Sequence, residues 1–131
     1  MQDFSDKTRD EIADLFEGVV SSAPGFESVM LASRDGHPAV FIETETVVPG
    51  KFAAMSSSIT ALGKTIIHEV GAGRLSHVLV EGDKGKVVFV RVPYENGLFV
   101  LAVLAAPDIL LGRMHAVART LAKRVDECLR R

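Results

Sequence analysis

Hydrophobic residues repeat with a helical period from Pro49 to Gly73, a stretch called here the middle helix. Its large apolar residues recur at i, i+3 and i+4 spacing, which places them on one helix face: Phe52, Met55, Ile59, Leu62 and Ile66. The opposite face is small and uncharged: Ala53, Ala54, Ser57, Ser58 and Ala61. The pattern predicts that the large face packs into the protein's own core, while the small face is free to contact a second protein.

The same helical spacing predicts a first and a last helix. Ser5 or Asp6 is expected to cap the first helix, which ends near Ser22 because a proline and a glycine follow. Pro107 and Asp108 are expected to open the last helix, with Asp108 as its cap.

Short apolar runs bounded by turn residues predict five strands. Residues 28–33 and 37–42 flank an Arg-Asp-Gly turn and are expected to form a hairpin. Three further strands, 75–81, 86–92 and 98–105, follow the middle helix. The last is apolar on both faces, which indicates a central strand covered by helices on both sides. The first of the three carries polar residues, which indicates a sheet edge.

The resulting order is α-β-β-α-β-β-β-α, which predicts an α+β fold. A five-stranded antiparallel sheet with helices on both faces is the simplest packing of these elements, a three-layer sandwich. The chain has 131 residues and no internal repeat or linker, so a single domain spanning 1–131 is expected.

Composition narrows the classes of function. The chain carries 15 basic and 17 acidic residues, a balance that argues against a nucleic-acid or anionic-membrane partner. Its single cysteine, Cys128, excludes an internal disulfide, fits a reducing compartment, and is interpreted as a small core residue. No apolar run is long enough for a membrane span, and the first eleven residues lack the apolar segment of a signal peptide. A cytoplasmic protein is therefore expected.

The triplet Gly63-Lys64-Thr65 looks like part of a phosphate-binding loop but lacks its context. Such a loop needs a glycine where this chain has Ser58, and it must precede a helix rather than lie inside one. Nucleotide binding is not predicted, and Lys64 is expected to lie on the outer face of the middle helix.

No other residues converge in the pattern required for catalysis or metal binding. The four histidines fall on four predicted elements, whereas a metal site needs three or four converging ligands: His37, His68, His77 and His115. The serines of the middle helix lack the strained turn of a catalytic nucleophile. Arg34 is interpreted as an exposed turn residue. The sequence thus predicts no catalytic, cofactor or metal site, and an enzyme is the least favoured reading.

These elements, taken together, resemble the Roadblock family of dynein light-chain-like proteins over roughly residues 8 to 129. The resemblance is carried by the hairpin with Arg34-Asp35-Gly36, the small-residue helix, the strand LFVLAVLA and the run APDILLGRM with its Leu111-Gly112. It implies a profilin-like fold and a homodimer in which the third strands pair and the middle helices lie side by side. It also implies a partner, because bacterial members commonly act with small Ras-like GTPases. The gliding-motility regulator of the family binds its GTPase on the middle-helix surface and accelerates hydrolysis.

The leading hypothesis is a homodimeric regulator or adaptor of a small Ras-like GTPase with no catalytic residues of its own. The predicted dimer or partner interface comprises Ala54, Ser57, Ser58, Ala61, Lys64, Thr65 and His68 on the middle helix and Ser76, His77 and Val78 on the edge strand. Two alternatives remain: an assembly scaffold without a nucleotide-dependent partner, and a small-molecule sensor.

Overall fold

The computed structural model describes residues 4–131, so residues 1–3 of the predicted domain lie outside the described range. The elements follow the predicted order. They are α1 (Asp6–Ser22), β1 (Phe26–Ser33), β2 (Pro38–Phe41), the middle helix α2 (Pro49–Glu69), β3 (Val78–Gly82), β4 (Gly85–Val92), β5 (Phe99–Ala105) and α3 (Leu111–Leu129). A short 3-10 helix, Tyr94–Asn96, joins β4 to β5.

The five strands form one antiparallel sheet in the order β2-β1-β5-β4-β3. Its central strand, β5, alternates between two cores. Leu101 and Val103 pack on the side of α1 and α3, whereas Val100 and Ala102 pack on the side of α2. The predictions of a central strand covered on both faces and of an edge strand after the middle helix are therefore confirmed.

The larger core lies between the sheet and the pair α1 and α3. Ile12 and Phe16 of α1, Met114 of α3 and Leu31 of β1 are completely buried there. Cys128 belongs to the same core, which confirms its interpretation as a core residue, and burial raises the pKa of its thiol. In residues 4–131, no helix combines the length and apolar character that crossing a bilayer requires.

The two outer helices begin differently. Ser5 caps α1, since its hydroxyl accepts a hydrogen bond from the backbone N–H of Thr8 at 3.1 Å. The prediction that Asp108 caps the last helix is wrong, because α3 begins at Leu111 and no side chain caps it. The preceding residues form a turn instead, and that turn packs Ile109 against the core. Gly25 leaves room for it: a Cβ on Gly25 would stand 2.4 Å from Ile109 Cδ1.

The edge strand is shorter than predicted. It begins at Val78, so Ser76 and His77 lie in the loop before it. Arg119 of α3 donates hydrogen bonds to the backbone carbonyl of Ser76 at 2.7 Å and to its hydroxyl at 2.8 Å. This segment is therefore bonded to a helix rather than to the neighbouring strand.

Candidate interaction surface

The most deeply buried residues of α2, which rest on the sheet, are small. Ala53 and Ser56 are 0% exposed and Thr60 is 4% exposed. The hydroxyl of Ser56 donates a hydrogen bond to the backbone carbonyl of Phe52 at 2.7 Å, and the hydroxyl of Thr60 donates one to the backbone carbonyl of Ser56 at 2.8 Å. Because these polar groups are satisfied within the helix, they can be buried at low cost.

The large apolar residues of α2 are not all buried, and the prediction that their face packs into the protein's own core is wrong for three of them. Met55 is 54% exposed, Leu62 is 59% exposed and Ile66 is 53% exposed. These three residues are called here the apolar stripe. Phe52 and Ile59, by contrast, are partly buried against the core on this side of the sheet.

Small residues of α2 face the sheet and large ones are exposed because the helix lies close to the sheet. Gly63 shows how close the approach is, since a Cβ at this position would come within 3.0 Å of Val78 Cγ2. Small residues must occupy such a contact, and the large ones are displaced to the flank. The same observation explains the glycine of the Gly63-Lys64-Thr65 triplet, which serves helix packing inside α2.

The predicted interface residues fall into three groups. Six are exposed on α2: Ala54, Ser58, Ala61, Lys64, Thr65 and His68. Ser57 is half-buried, and its hydroxyl donates a hydrogen bond to the backbone carbonyl of Arg34. The other three surround the start of β3: Ser76, which is exposed, and His77, which is half-buried, lie in the loop before it, and the half-buried Val78 is its first residue. That these residues form an interface stays a prediction.

Four of the predicted residues share a cavity of about 300 Å³ beside α2, called here the α2 cavity: Ser57, Ala61, Lys64 and Thr65. Arg34 and Arg91 also line it. The sequence did not predict that Arg91 lies with these residues, although one signal was present. It is the charged residue that interrupts the apolar run Val87–Val92 in β4, where every other side chain is apolar.

The structure also contains a histidine pair that the sequence did not predict. The rings of His77 and His115 lie 4.7 Å apart, and Nε of Arg119 donates to Nε2 of His115 at 3.2 Å. Burial lowers the pKa of His77, and the nearby His115 and Arg119 lower it further. Across the described range 4–131, no three His, Cys, Asp or Glu side chains come together as a metal site would require.

Known structures share this fold. A Roadblock/LC7 domain from Streptomyces avermitilis is 24% identical, with a TM-score of 0.80 over 91% of this chain and 98% of that one. Myxococcus xanthus MglB is 14% identical, with a TM-score of 0.84 over 99% and 95% of the two chains. Acanthamoeba castellanii profilin II is 15% identical, with a TM-score of 0.60 over 86% and 94%. The expected profilin-like fold is thus confirmed.

Family membership rests on the sequence itself. No curated protein matches the chain. The family model described as Roadblock/LC7 domain matches residues 11–105, more than half of the chain, from α1 to the end of β5. The matched segment contains the whole sheet and α2, the elements that build the surface described above. The chain belongs to the Roadblock/LC7 domain family.

Proposed function

We propose that the protein is a homodimeric regulator or adaptor of a small Ras-like GTPase and contacts this partner through the surface of α2. The observation that carries the proposal is the exposed surface of α2: a second copy would cover the apolar stripe of Met55, Leu62 and Ile66, and the GTPase would use the neighbouring small-residue face. Contiguous exposed apolar side chains mark interaction sites in soluble proteins. The resemblance of the chain to bacterial Roadblock proteins supports a GTPase as the partner class.

The stripe and the edge of the sheet together offer a surface for a second copy of the chain. Within the described residues, β3 pairs only with β4, and Val80 on this strand is exposed. An unpaired strand edge is a template for another strand. Pairing two β3 edges and packing two stripes together would cover both the unpaired strand edge and the exposed apolar side chains. A stable interface buries on the order of 1,600 Å² in total.

A second arc of α2 remains for the GTPase once the stripe is covered. Ala61, Thr65 and His68 follow each other at i, i+4 and i+7, so they lie along one exposed line of the helix. The protein acts by binding rather than through catalytic groups of its own. It accelerates GTP hydrolysis only to the extent that it binds one switch conformation more tightly than the other.

The test is affinity capture from the source lysate in the presence of a non-hydrolysable GTP analogue, repeated with GDP. We expect a small GTPase to be retained in one nucleotide state. Ala61→Arg should abolish retention, whereas Ala116→Arg, which changes an exposed alanine of α3, should leave it intact. A partner retained equally in both states would support the assembly scaffold instead. Failure to retain any GTPase in either state would overturn the proposal.

A further inference from the structure

Two cavities meet at the end of the sheet where β4 finishes and β5 begins. The α2 cavity, about 300 Å³, lies on the side of α2. A second one of about 310 Å³, called here the α3 cavity, is lined by Arg74, Ser76 and Arg119. Arg91 and Gly97 line both. Each volume is at the lower end of the range for ligand pockets.

The side chains around these cavities form a cluster of positive charge. Five lining residues are cationic: Arg34, Lys64, Arg74, Arg91 and Arg119. No aspartate or glutamate lines either cavity, and none of the five forms an ion pair within residues 4–131. The cluster is a local feature, because the whole chain carries a net charge of −2. Like charges repel, so an anion at this place relieves an unfavourable interaction.

The sheet fixes two of these arginines on the same face. Arg91 of β4 pairs with Val100 of β5, and Val100 pairs with Ala32 of β1. Val100 and Ala32 face α2, so Arg91 lies on the same face of the sheet. Arg34 follows Ala32 by two residues. Its backbone N–H donates to the carbonyl of Leu98 at 2.7 Å, and its own carbonyl accepts from Ser57. The backbone that carries Arg34 is therefore held from both sides.

Arg91 and Arg119 are held by their surroundings as well. A Cβ on Gly97 would lie 3.5 Å from Cδ and Nη1 of Arg91, so the side chain runs directly over this glycine. Gly97 also has a φ of +83°, which only glycine adopts at little cost. Arg119 is held by its two hydrogen bonds to Ser76. Donors fixed in advance lose less entropy when a ligand binds.

The donor type indicates the chemistry of the ligand. Guanidinium groups present paired N–H donors whose geometry matches phosphate oxygens. Within the described residues, the side chains of Arg34, Arg91 and Lys64 donate no hydrogen bond to the protein, so their donors are available. No aromatic ring lines either cavity, so nothing there would stack on a nucleobase. We propose that the two cavities form a binding site for a phosphate-bearing small molecule, with Arg91 as the central contact.

The experiment is isothermal titration calorimetry with pyrophosphate as the probe. We expect saturable binding that Arg91→Gln weakens at least about tenfold, as for the loss of a hydrogen bond to a charged group. Arg91→Lys should weaken it less, because it keeps the charge and loses the paired donors. The matched control is Arg124→Gln, an exposed arginine of α3 that lines neither cavity. Circular dichroism of each variant verifies folding.

Two further arms define the source of the phosphate group. Binding to vesicles that contain phosphatidylinositol 4-phosphate, displaced by pyrophosphate, would support the site and identify a lipid headgroup. Pyrophosphate binding without vesicle binding would support a soluble ligand. The proposal is overturned if wild-type protein does not bind pyrophosphate, or if Arg124→Gln weakens binding as much as Arg91→Gln. None of these outcomes depends on the GTPase.

Discussion

The hydroxyl of Ser57 donates a hydrogen bond to the backbone carbonyl of Arg34 and thereby joins α2 to the turn between β1 and β2. The two residues are distant in sequence, so the bond is a tertiary contact between the helix and the hairpin turn. Ser57 is half-buried and its neighbour Ser58 is exposed, because successive residues of a helix point in different directions. Ser57 therefore has a structural role in addition to the interface role predicted for it.

Replacing Ser57 should accordingly reduce stability. We expect Ser57→Ala to lower the free energy of unfolding by about 1 kcal/mol, the usual net contribution of one hydrogen bond. Ser58→Ala is the control, since this exposed hydroxyl has no hydrogen-bond partner within residues 4–131, and it should change stability little. Urea denaturation followed by circular dichroism measures both. Equal effects of the two substitutions would contradict the assigned role of the bond.

The orientation of α2 can be tested with two adjacent alanines. Ala53 is fully buried against the sheet, so Ala53→Leu should lower the free energy of unfolding by about 1–3 kcal/mol through overpacking. Ala54→Leu, on the exposed side, should have an effect close to zero. Thermal denaturation of the two variants distinguishes these cases. Should Ala54→Leu prove the more damaging, the helix would face the other way.

The apolar stripe should control self-association. If the proposed dimer forms, Leu62→Glu should convert it to a monomer, because the substitution places a charge in the surface that two copies would bury. Leu110→Glu is the matched control, since Leu110 is also an exposed leucine but lies just before α3. Sedimentation velocity reads out the mass. A wild-type protein that is monomeric at all concentrations would refute the dimer.

Stability should decrease in mildly acidic solution because of His77. Its folded-state pKa lies below the ordinary value of 6.5, chiefly through burial and then through His115 and Arg119. The unfolded chain therefore binds a proton more readily than the folded one, and stability falls as the pH drops below 6.5. In His77→Gln the melting temperature should depend less on pH in this range. His37→Gln, at an exposed position, should keep the wild-type dependence.

Local patterns in the sequence were sufficient for most of the fold. The uninterrupted apolar run of residues 98–105 identified the central strand, because burial on both faces removes polar residues from both. The pair Ser5 and Asp6 identified the start of α1, where Ser5 proved to be the cap, since capping depends on residues within one helical turn. The prediction that Asp108 caps the last helix also relied on a local signal, but it was wrong. The residue type of Asp108 suits a cap, but the turn that packs Ile109 delays the helix.

The candidate site could be predicted from the sequence only in part. Lys64 and Thr65 are exposed as expected, because their positions follow from the helical period alone. Arg91 could not be associated with Arg34 from the sequence, since their proximity depends on the β1-β5-β4 strand order. The pairing of His77 with His115 likewise requires the docking of α3 on the loop before β3.

The sequence by itself determined the family, the order of the elements and the helical period of α2, since each depends on residues close together in the chain. Only the tertiary structure decided which way α2 faces. A hydrophobic period identifies which residues share a helix face, but it does not say whether that face packs against the sheet. Close approach to the sheet admits only small side chains such as Ala53 and Ser56. Met55, Leu62 and Ile66 are therefore displaced from the sheet and exposed.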